Sequence, residues 1–564
     1  MIYKELNSSS SIVHGIGQRL GDLLVARGHL DKINLAYVNQ KQLVEEQPLW
    51  RMLVKSGLVS EGDVVRTLSE ILEIKYMSYE KLEDPQAEIL ELFNQELCIN
   101  GHFIPLRRDA DKILVVLGDA LPDSVSHTVF KRCGLRCNFL YTDFSQLPKI
   151  IRYWYYFIQN PPEQLIQQEI KKLTVDTDHI LSPDKLLSHL LHLAIKSRAT
   201  DIHITPGSNS LHVLFRIDGV LSPILSLPVF LNRLLGFIKL NSEMDISEQR
   251  RPQDGSFRIH VLDSPITIRV STIVTEFGER MVMRLLPESH DIAGLAELGF
   301  FKEDVELIAR MTSKPAGMIL ITGPTGSGKS STLHAALRMQ QLIERNVLTV
   351  EDPLEYRVPG AGQTEVNRRA GYDFSNALRH FLRHDPDVIL LGEMRDAETA
   401  LAALEASATG HLVLSTLHVT SVYGVVPRLL PMGLQPSVIA ENLLLVINQR
   451  LVRINCSSCS EQTPFTSAEC TWLGVSEGAM GWRGSGCPSC RQTGYKGRMP
   501  IYEIMQINEP MANAIADGAG REAIRRLAVE SGFRDIEYIG KRRVLLGQTT
   551  AQEIERVIGY GPQS

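Results

Sequence analysis

A glycine-rich turn near the middle of the chain constrains the fold more than any other segment. It fits the pattern G-x-x-x-x-G-K-[ST] and reads Gly323-Pro324-Thr325-Gly326-Ser327-Gly328-Lys329-Ser330. An apolar strand pattern over 318–321 precedes it and a helical pattern follows it, which is the context that the motif requires. Glycines let backbone N–H groups turn inward and hold phosphates at a helix N-terminus. The alternative is a chance glycine turn, and the flanking strand and helix argue against it.

The residues of this turn predict a nucleotide site. Lys329 can neutralise the β- and γ-phosphates, and the Ser330 hydroxyl can ligate Mg²⁺. We therefore predict ATP and Mg²⁺ as cofactors. The predicted nucleotide-binding residues of the turn are Gly323, Pro324, Thr325, Gly326, Ser327, Gly328, Lys329, Ser330 and Ser331.

Acidic residues follow two other predicted strands. The strand over 388–391 ends in Gly392-Glu393 rather than in a pair of acids, and the strand over 347–350 ends in Glu351-Asp352. A P-loop site needs acids near Mg²⁺ and near the attacking water. We assign Glu393 to the Mg²⁺ side and Glu351 to polarising the water, and the reverse assignment stays open. The alternative is that Glu351 and Asp352 only cap a turn.

Basic residues cluster around these acids and are candidates for catalysis. Arg379 and Arg383 are four residues apart and are therefore predicted to lie on one helix face, and Arg395 follows Glu393 closely. His411 and His418 flank the predicted strand over 412–415 and are candidate sensors of the γ-phosphate. The alternatives are a solvated helix face for the arginines and structural roles for the histidines.

Alternating short apolar strands and helices after residue 300 predict a parallel α/β sheet. The region over 183–287 is mixed, with strand patterns over 201–204, 211–216 and 266–270 and a turn over 252–255. Near the N-terminus a helical pattern occurs twice, and Gly28 and Gly57 stand where a helix would end in each copy. A further strand pattern lies over 113–117.

Four of the eight cysteines have the spacing of a zinc site. Two C-x-x-C pairs can each form a tight knuckle, and four thiolates complete the tetrahedron of a structural Zn²⁺. The alternative is four free buried thiols. The predicted ligands are Cys456, Cys459, Cys487 and Cys490.

Composition excludes several classes of protein. The 564 residues include 59 Lys and Arg and 65 Asp and Glu, a net charge of -6, with 44% hydrophobic and 22% charged residues. This balance argues against a basic nucleic-acid coat, an acidic disordered tail and a fibrous repeat. The sequence has no apolar run long enough for a membrane span and no signal peptide pattern. We expect a cytoplasmic protein that reaches membranes only through partners.

With these motifs in place, the chain resembles the secretion ATPase family that powers type II secretion and type IV pilus assembly. The resemblance is dense from about 183 to 560 and weaker over 15–150. Its motifs stand in order along the chain: 199–203, 216–219, 251–255, the P-loop, an Asp box at 351–355, an atypical Walker B at 392–396, a His box at 409–418 and 449–451 before the cysteines.

The resemblance implies an α/β fold with three parts: a RecA-like P-loop core, a preceding PAS-like α+β domain and a mostly helical α+β N-terminal domain. It implies a homohexamer that binds ATP at subunit borders. Arg216, Arg251 and Arg269 of the preceding domain would reach the nucleotide. Hydrolysis would drive assembly of a type IV pilus or type II secretion pseudopilus through an inner-membrane platform protein. A pilus-retraction motor and a nucleic-acid translocase are the alternatives, and no nucleic-acid partner is expected.

The N-terminal region, 15–158, would dock on a membrane-anchored partner and so hold the enzyme at the inner membrane. In some family members tandem motifs of this region bind cyclic di-GMP. The first copy here keeps Arg19, whereas the second has Pro48-Leu49-Trp50 where the family has Arg-Leu-Gly. Loss of that arginine removes a phosphate contact, so we expect packing and docking rather than dinucleotide binding.

The chain also departs from the family in the motor. Ser330-Ser331 stand for Thr-Thr, His334 for Tyr, and Val419-Thr420 for Thr-Asn. The hydroxyls after Lys329 are kept, so we expect catalysis to be retained. The predicted domain organisation is 1–14 flexible lead-in, 15–158 docking domain, 159–182 linker, 183–287 α+β domain, 288–300 connector, 301–450 ATPase core, 451–500 zinc segment and 501–564 helical region.

Overall fold

The computed structural model describes residues 2–45, 47–79, 82–175, 183–262, 264–287, 293–340, 344–358 and 360–559. Its contacts divide the chain into two units, one of residues 1–64 with 289–564 and one of residues 65–288. This division falls inside the range 15–158 that is predicted as one docking domain. Within the described ranges, no helix is both long enough and apolar enough to cross a lipid bilayer.

The helices, in chain order, are α1 Ile2–Ala26, α2 Lys32–Glu45, α3 Leu49–Lys55, α4 Glu61–Ile71, α5 Ala87–Leu90, α6 Gln95–Asn100, α7 Pro122–Cys133, α8 Leu147–Gln159, α9 Pro162–Val175, α10 Pro183–Lys196, α11 Arg233–Asn241, α12 Leu295–Leu298, α13 Lys302–Thr312, α14 Lys329–Arg338, α15 Phe374–Phe381, α16 Ala397–Ala408, α17 Val425–Leu429, α18 Pro436–Asn442, α19 Ser467–Leu473, α20 Glu509–Ala516, α21 Arg521–Glu530, α22 Ile536–Leu545 and α23 Ala551–Ile558.

The strands, in chain order, are β1 Phe103–Asp109, β2 Lys112–Leu117, β3 Arg136–Tyr141, β4 Ala199–Pro206, β5 Ser210–Ile217, β6 Val220–Pro228, β7 Gln253–Val261, β8 Ser264–Thr275, β9 Gly278–Pro287, β10 Gly317–Thr322, β11 Val347–Glu351, β12 Gly362–Glu365, β13 Val388–Leu391, β14 Leu412–Leu417, β15 Leu443–Asn455, β16 Ser460–Pro464, β17 Met480–Gly484 and β18 Tyr495–Gln506.

A sheet of seven strands forms the centre of the first unit. Its order is β12-β11-β13-β14-β10-β15-β18, and only the last pair is antiparallel. β10, which leads into the glycine-rich turn, is separated from β13 by β14 alone. This arrangement confirms the predicted α/β, RecA-like fold class. The sheet extends past residue 450, the predicted end of the core, because β18 pairs along β15 and the cysteine segment is the connection between them.

Both faces of this sheet are buried. Met318 and Leu320 of β10 pack into the core that α15 and α16 cover, whereas Ile319 and Ile321 pack into the core that α13 and α14 cover. Successive side chains of a strand point to opposite faces. The dense apolar pattern at 318–321 therefore follows from burial on both sides, as expected for a parallel sheet between two helix layers.

The second unit contains a six-stranded antiparallel sheet of order β6-β5-β4-β9-β8-β7. α10 and α11 cover one face, where Leu190 and Ile238 pack with Ile202 and Val213. A smaller sheet of order β1-β2-β3 precedes it and includes the strand predicted over 113–117.

The repeated N-terminal pattern forms two helix–glycine–helix units, which confirms the prediction from spacing. α1 is followed by Gly28 at φ 74° and by α2, and α3 is followed by Gly57 at φ 70° and by α4. A positive φ ends a helix at low cost only at glycine. The copies also pack together, since a Cβ on Gly21 would lie 2.8 Å from a methyl of Leu35 and 3.5 Å from one of Leu49.

Three segments that are predicted to lack regular secondary structure contain a helix or a strand. The lead-in 1–14 lies largely in α1, because 2–14 has no proline or glycine to stop the helix. The linker 159–182 contains α9, since Pro162 is at the first helical position, which proline favours. Residues 176–182, and 288–292 of the predicted connector, lie outside the described residues. The predicted turn 252–255 begins β7 at Gln253 instead, and Gly255 allows a close approach to the Ser242 carbonyl.

Candidate functional site

The glycine-rich turn joins β10 to α14 and forms a backbone cradle. Gly323, Gly326 and Gly328 have φ values of 141°, 77° and 86°, which other residues rarely adopt. A Cβ on Gly323 would lie 2.5 Å from the Gln449 carbonyl oxygen and 2.7 Å from Ser327 Oγ. The glycines are therefore required both by conformation and by space.

The cradle fits a polyphosphate. Ser327 Oγ is buried and, among the described residues, has no hydrogen-bond partner. The Lys329 ammonium lies over the loop and donates to the carbonyls of Gly323 and Pro324, both at 3.0 Å. Burial lowers the pKa of Lys329, an effect that the nearby Glu393 carboxylate opposes. A cation and an orphaned hydroxyl thus meet the N-terminus of α14, the position that phosphate binding uses.

Gln449 supports the cradle, and sequence reasoning assigned it no role. Its side-chain amide donates to the Ser327 carbonyl at 2.7 Å, and the residue is 1% exposed. It lies on β15, which pairs with β10 next to the turn. The available signal was the pair of amides Asn448-Gln449, which directly follows the apolar run 443–447 of this strand.

The two candidate carboxylates lie at the same edge of the sheet as the cradle. Glu351 ends β11 and Glu393 follows β13, and these strands are parallel neighbours. The Gly392 N–H donates to the Val350 carbonyl at 2.9 Å, and a Cβ on Gly392 would lie 3.3 Å from Glu351 Cα. The glycine at the usual metal-side acid position thus lets the two strand ends approach.

Glu351 is buried, and both of its carboxylate oxygens have neighbouring donors. Thr349 Oγ1 donates to Glu351 Oε1 at 2.9 Å, and Gln363 Nε2 donates to the same oxygen at 3.3 Å. Nε2 of His334 lies 2.9 Å from the other oxygen, Oε2. The carboxylate is 3% exposed and held on three sides, so the reading of Glu351 as a simple turn cap does not describe its surroundings.

Glu393 has a more open environment. Arg395 Nη2 lies 2.5 Å from Glu393 Oε1, and His418 Nε2 lies 3.6 Å from Oε2. Burial and the charge of Lys329 lower the pKa of His418, which Glu393 partly offsets. Glu393 and Ser330 offer the oxygen ligands that Mg²⁺ prefers. Mg²⁺, when bound, would neutralise charge on the phosphate oxygens.

His411 does not lie at the sheet edge that carries the glycine-rich turn. It precedes β14, at the end opposite His418, and its Nδ1 lies 2.8 Å from the Ala406 carbonyl at the end of α16. The two ends of a strand lie at opposite edges of a parallel sheet. Because His411 precedes β14 and His418 follows it, the strand holds the two histidines at opposite edges. The interpretation of His411 as a sensor within this chain's own site is therefore wrong.

Arg379 and Arg383 do not share a helix face. α15 ends at Phe381, and Arg383 lies in the turn that leads to Pro386, where Asp385 has a φ of 50°. The residue directly before a proline, here Asp385, is disfavoured in a helix. Arg379 Nη2 binds Glu398 Oε1 at 2.7 Å, whereas Arg383 Nη2 lies 2.8 Å from His380 Nδ1.

Two of the three arginines predicted in the preceding domain lie in one row across the six-stranded sheet. The register pairs Arg216 with Asp201, Asp201 with Arg284, and Arg284 with Arg269. Asp201 forms ion pairs with two arginines of this row: its carboxylate lies 2.8 Å from Arg284 Nε and 3.6 Å from Arg216 Nε. Arg251 lies apart, before β7, with its side chain 83% exposed. Sequence reasoning missed Arg284.

The four predicted zinc ligands meet. Their sulfur atoms all lie within 4.8 Å of one another, with 3.8 Å for Cys456–Cys487 and Cys459–Cys490 and 3.7 Å for Cys487–Cys490. Zn–S bonds of about 2.3 Å in a tetrahedron require sulfur atoms about 3.8 Å apart. The site therefore has the dimensions of a Zn²⁺ tetrahedron and can hold that ion in a structural role.

Backbone N–H groups donate to two of the four sulfur atoms and favour a thiolate at Cys490. The N–H groups of Cys487 and Gly494 donate to Cys490 Sγ at 3.1 and 3.3 Å, and the N–H of Gly486 donates to Cys459 Sγ at 3.3 Å. Burial raises the pKa of Cys490, but hydrogen bonds from the N–H groups of Cys487 and Gly494 and contacts with the Cys487 and Cys459 side chains outweigh it and lower the pKa to about 7. At Cys456 and Cys459 burial prevails, and the pKa is raised. Such orientation of ligands by N–H groups is typical of metal sites.

The fold and the site together define a P-loop ATPase with a RecA-like α/β sheet. Residues 177–556 match the family model described as Type II/IV secretion system protein, and the chain belongs to this family.

Relatives support the family over most of the chain. Type II secretion system protein E of Pectobacterium carotovorum subsp. carotovorum is 43% identical over 390 residues, 68% of this chain and 78% of that protein. Type IV pilus assembly ATPase PilB of Thermus thermophilus is 35% identical over 523 residues, 89% of this chain and 58% of that protein. Among solved structures, the ATPase DotB of Legionella pneumophila is 22% identical, covering 66% of this chain and 94% of that chain with a TM-score of 0.49.

Proposed function

We propose that this chain is a cytoplasmic, hexameric motor that hydrolyses ATP to assemble a type IV pilus or a type II secretion pseudopilus. The observation that carries the proposal is the meeting of the P-loop, Glu351 and Glu393 at one sheet edge. The names of two relatives, a type II secretion system protein E and a pilus assembly ATPase, support the two kinds of apparatus. In this proposal residues 15–158 dock on a membrane-anchored partner, and an inner-membrane platform protein receives the motion.

The chain's own residues suit ATP hydrolysis. Backbone N–H groups of the turn and Lys329 bind the β- and γ-phosphates, while Ser330 and Glu393 hold Mg²⁺. Glu351 polarises the attacking water and accepts its proton, since its carboxylate is fixed and buried at the same edge. Arg395 and His418 flank Glu393 and add positive charge or hydrogen-bond donors beside the phosphates.

In the proposed ring, arginines of one subunit reach the nucleotide of the next. Arg251 supports this because its side chain is largely exposed and its contact with Glu248 is long, at 4.0 Å. Arg216 and Arg269 lie on one face of the sheet, which concentrates positive charge there. Arginine is suited to phosphate because its planar fork makes two hydrogen bonds.

Subunit mixing tests this arrangement. We expect Lys329→Ala and Arg251→Ala chains to be inactive separately, and rings made from an equal mixture to regain ATPase activity. In such rings about a quarter of the sites pair an intact P-loop with an intact arginine of the neighbour, if subunits contact head to tail. Phosphate release from the mixture would therefore approach a quarter of that of the unmutated chain.

The matched control mixes Lys329→Ala with Glu351→Gln. In the proposed ring one subunit supplies both Lys329 and Glu351 to a site. Every site of this mixture therefore lacks one of the two residues, and no activity should return. Recovery with Arg251→Ala but not with Glu351→Gln supports donation between subunits. Equal, background-level release from both mixtures, together with rings of normal size, would contradict it.

A further inference from the structure

His334 is a buried polar residue beside the nucleotide site that the proposed mechanism does not use. It lies on α14, one turn after Ser330, and is 1% exposed. Its Nδ1 lies 2.8 Å from the Ser330 carbonyl oxygen. A carbonyl only accepts hydrogen bonds, so Nδ1 carries a proton and the ring orientation is fixed from the P-loop helix; in the imidazolium form Nε2 carries a second proton.

The other ring nitrogen faces the candidate base. His334 Nε2 lies 2.9 Å from Glu351 Oε2, on the side of the carboxylate that Thr349 and Gln363 leave open. The ring also packs near Tyr356, with centroids 5.1 Å apart, and Tyr356 in turn bonds to Ser331. His334 thus links the P-loop helix to the end of β11 through one hydrogen bond, from Nδ1, and one close ion-pair contact, from Nε2.

The electrostatic surroundings of His334 favour its contact with Glu351. Burial lowers the pKa of His334, but the hydrogen bond and charge of Glu351 outweigh burial, and the net effect is a raised pKa. A buried carboxylate is stabilised only when its lone pairs are satisfied. The imidazole supplies a contact that Thr349 and Gln363, both on the Oε1 side, do not.

We propose that His334 is a positioning residue that fixes the Glu351 carboxylate relative to the P-loop. This inference rests on the proposed role of Glu351 and adds a second residue to it. In the reaction, an O–H bond of water breaks and its proton passes to Glu351. The water oxygen bonds to the γ-phosphorus while the bond to the β–γ bridging oxygen breaks, giving ADP and phosphate. His334 exchanges no atom in this step, and it sets where the accepting oxygen lies.

The test compares two replacements of similar size. We expect His334→Leu to fill the space without donating to Glu351, and to lower kcat for ATP about tenfold or more, since misplacing a catalytic group by about 1 Å can cost 10²-fold. His334→Gln keeps an N–H donor and should recover most of kcat. KM for ATP should change little in both, because neither replacement removes a phosphate contact.

Two further measurements separate positioning from packing. Thermal unfolding of the Leu and Gln variants should be similar, so a difference in kcat cannot be attributed to stability. In the Glu351→Gln background, His334→Leu should lower kcat no further, because residues that act through each other are not additive.

The outcomes distinguish the two proposals. If Glu351→Gln retains unmutated activity, the role of Glu351 is wrong, and the inference about His334 falls with it. If Glu351→Gln is inactive while His334→Leu keeps the unmutated kcat, positioning by His334 is overturned and the proposed function stands. Equal losses in His334→Leu and His334→Gln would likewise overturn positioning through a donated hydrogen bond.

Discussion

Replacement of Glu351 by glutamine is expected to lower ATP turnover about 10²–10⁴-fold, the usual contribution of a general base. The amide keeps the size of the side chain and its contact with Thr349, but it cannot accept the proton of the attacking water. Nucleotide affinity should remain, because the contacts that the structure describes for Glu351 are with Thr349, Gln363 and His334 and not with the glycine-rich turn. Phosphate release at saturating ATP, together with binding of a fluorescent nucleotide, measures the two effects separately.

Glu393→Gln should behave differently, because this residue is assigned to the metal side. We expect its activity to require higher Mg²⁺ concentrations, whereas Glu351→Gln stays inactive at every Mg²⁺ concentration. Glu365→Gln is the matched control, since Glu365 is an exposed carboxylate on β12, opposite Glu351 in the register. If Glu351→Gln is rescued by Mg²⁺ and Glu393→Gln is not, the roles of the two acids are the reverse of those proposed.

Replacement of Cys487 by serine is expected to release the metal and unfold the connection between β15 and β18. The unmutated chain should contain about one zinc ion per chain, and the variant none. Structural zinc sites in small domains supply about 10–16 kcal/mol of folding free energy, so the local effect is large. Metal analysis by mass spectrometry and limited proteolysis between β15 and β18 measure the two consequences.

Cys133→Ser is the control for this prediction, because Cys133 lies in the second unit, far along the chain from the cluster, and its Sγ donates to the carbonyl of Val129. It should keep the metal and the protease pattern of the unmutated chain. An unmutated chain that is purified without chelators and binds no zinc when zinc is supplied would refute the site.

The sequence predicts the parts of the structure that depend on local pattern. The strands at 318–321, 347–350, 388–391 and 412–415 all occur, since each is a short apolar run buried on both faces. The helix Ala397–Ala408 depends on local pattern as well, because the Asp396 carboxylate at its N-cap accepts from the Thr399 N–H, three residues further on.

The predictions that the structure contradicts depend on geometry that extends beyond a single helix or strand. Residues at the two ends of a strand look adjacent in sequence, yet His411 and His418 lie at opposite edges of the sheet. Arg383 is predicted on the same helix face as Arg379, but the helix ends at Phe381, before Arg383. Helix periodicity alone does not locate such an end.

The supporting contacts of the site could not be found from one sequence. Gln449 reaches Ser327 from 122 positions away, and His334 reaches Glu351 from a different element. Such pairs form only when the sheet brings β10, β11 and β15 together. The tetracysteine cluster is the exception, because four thiols at paired spacing indicate their partners directly.

The most direct test of the central claim is phosphate release from ATP by the unmutated chain and by Lys329→Ala under the same conditions. The account predicts Mg²⁺-dependent turnover by the unmutated chain and background release by the variant, because the cradle then lacks its only P-loop cation. Background release from both, with rings assembled and nucleotide bound, would contradict hydrolysis at this sheet edge and with it the proposed motor.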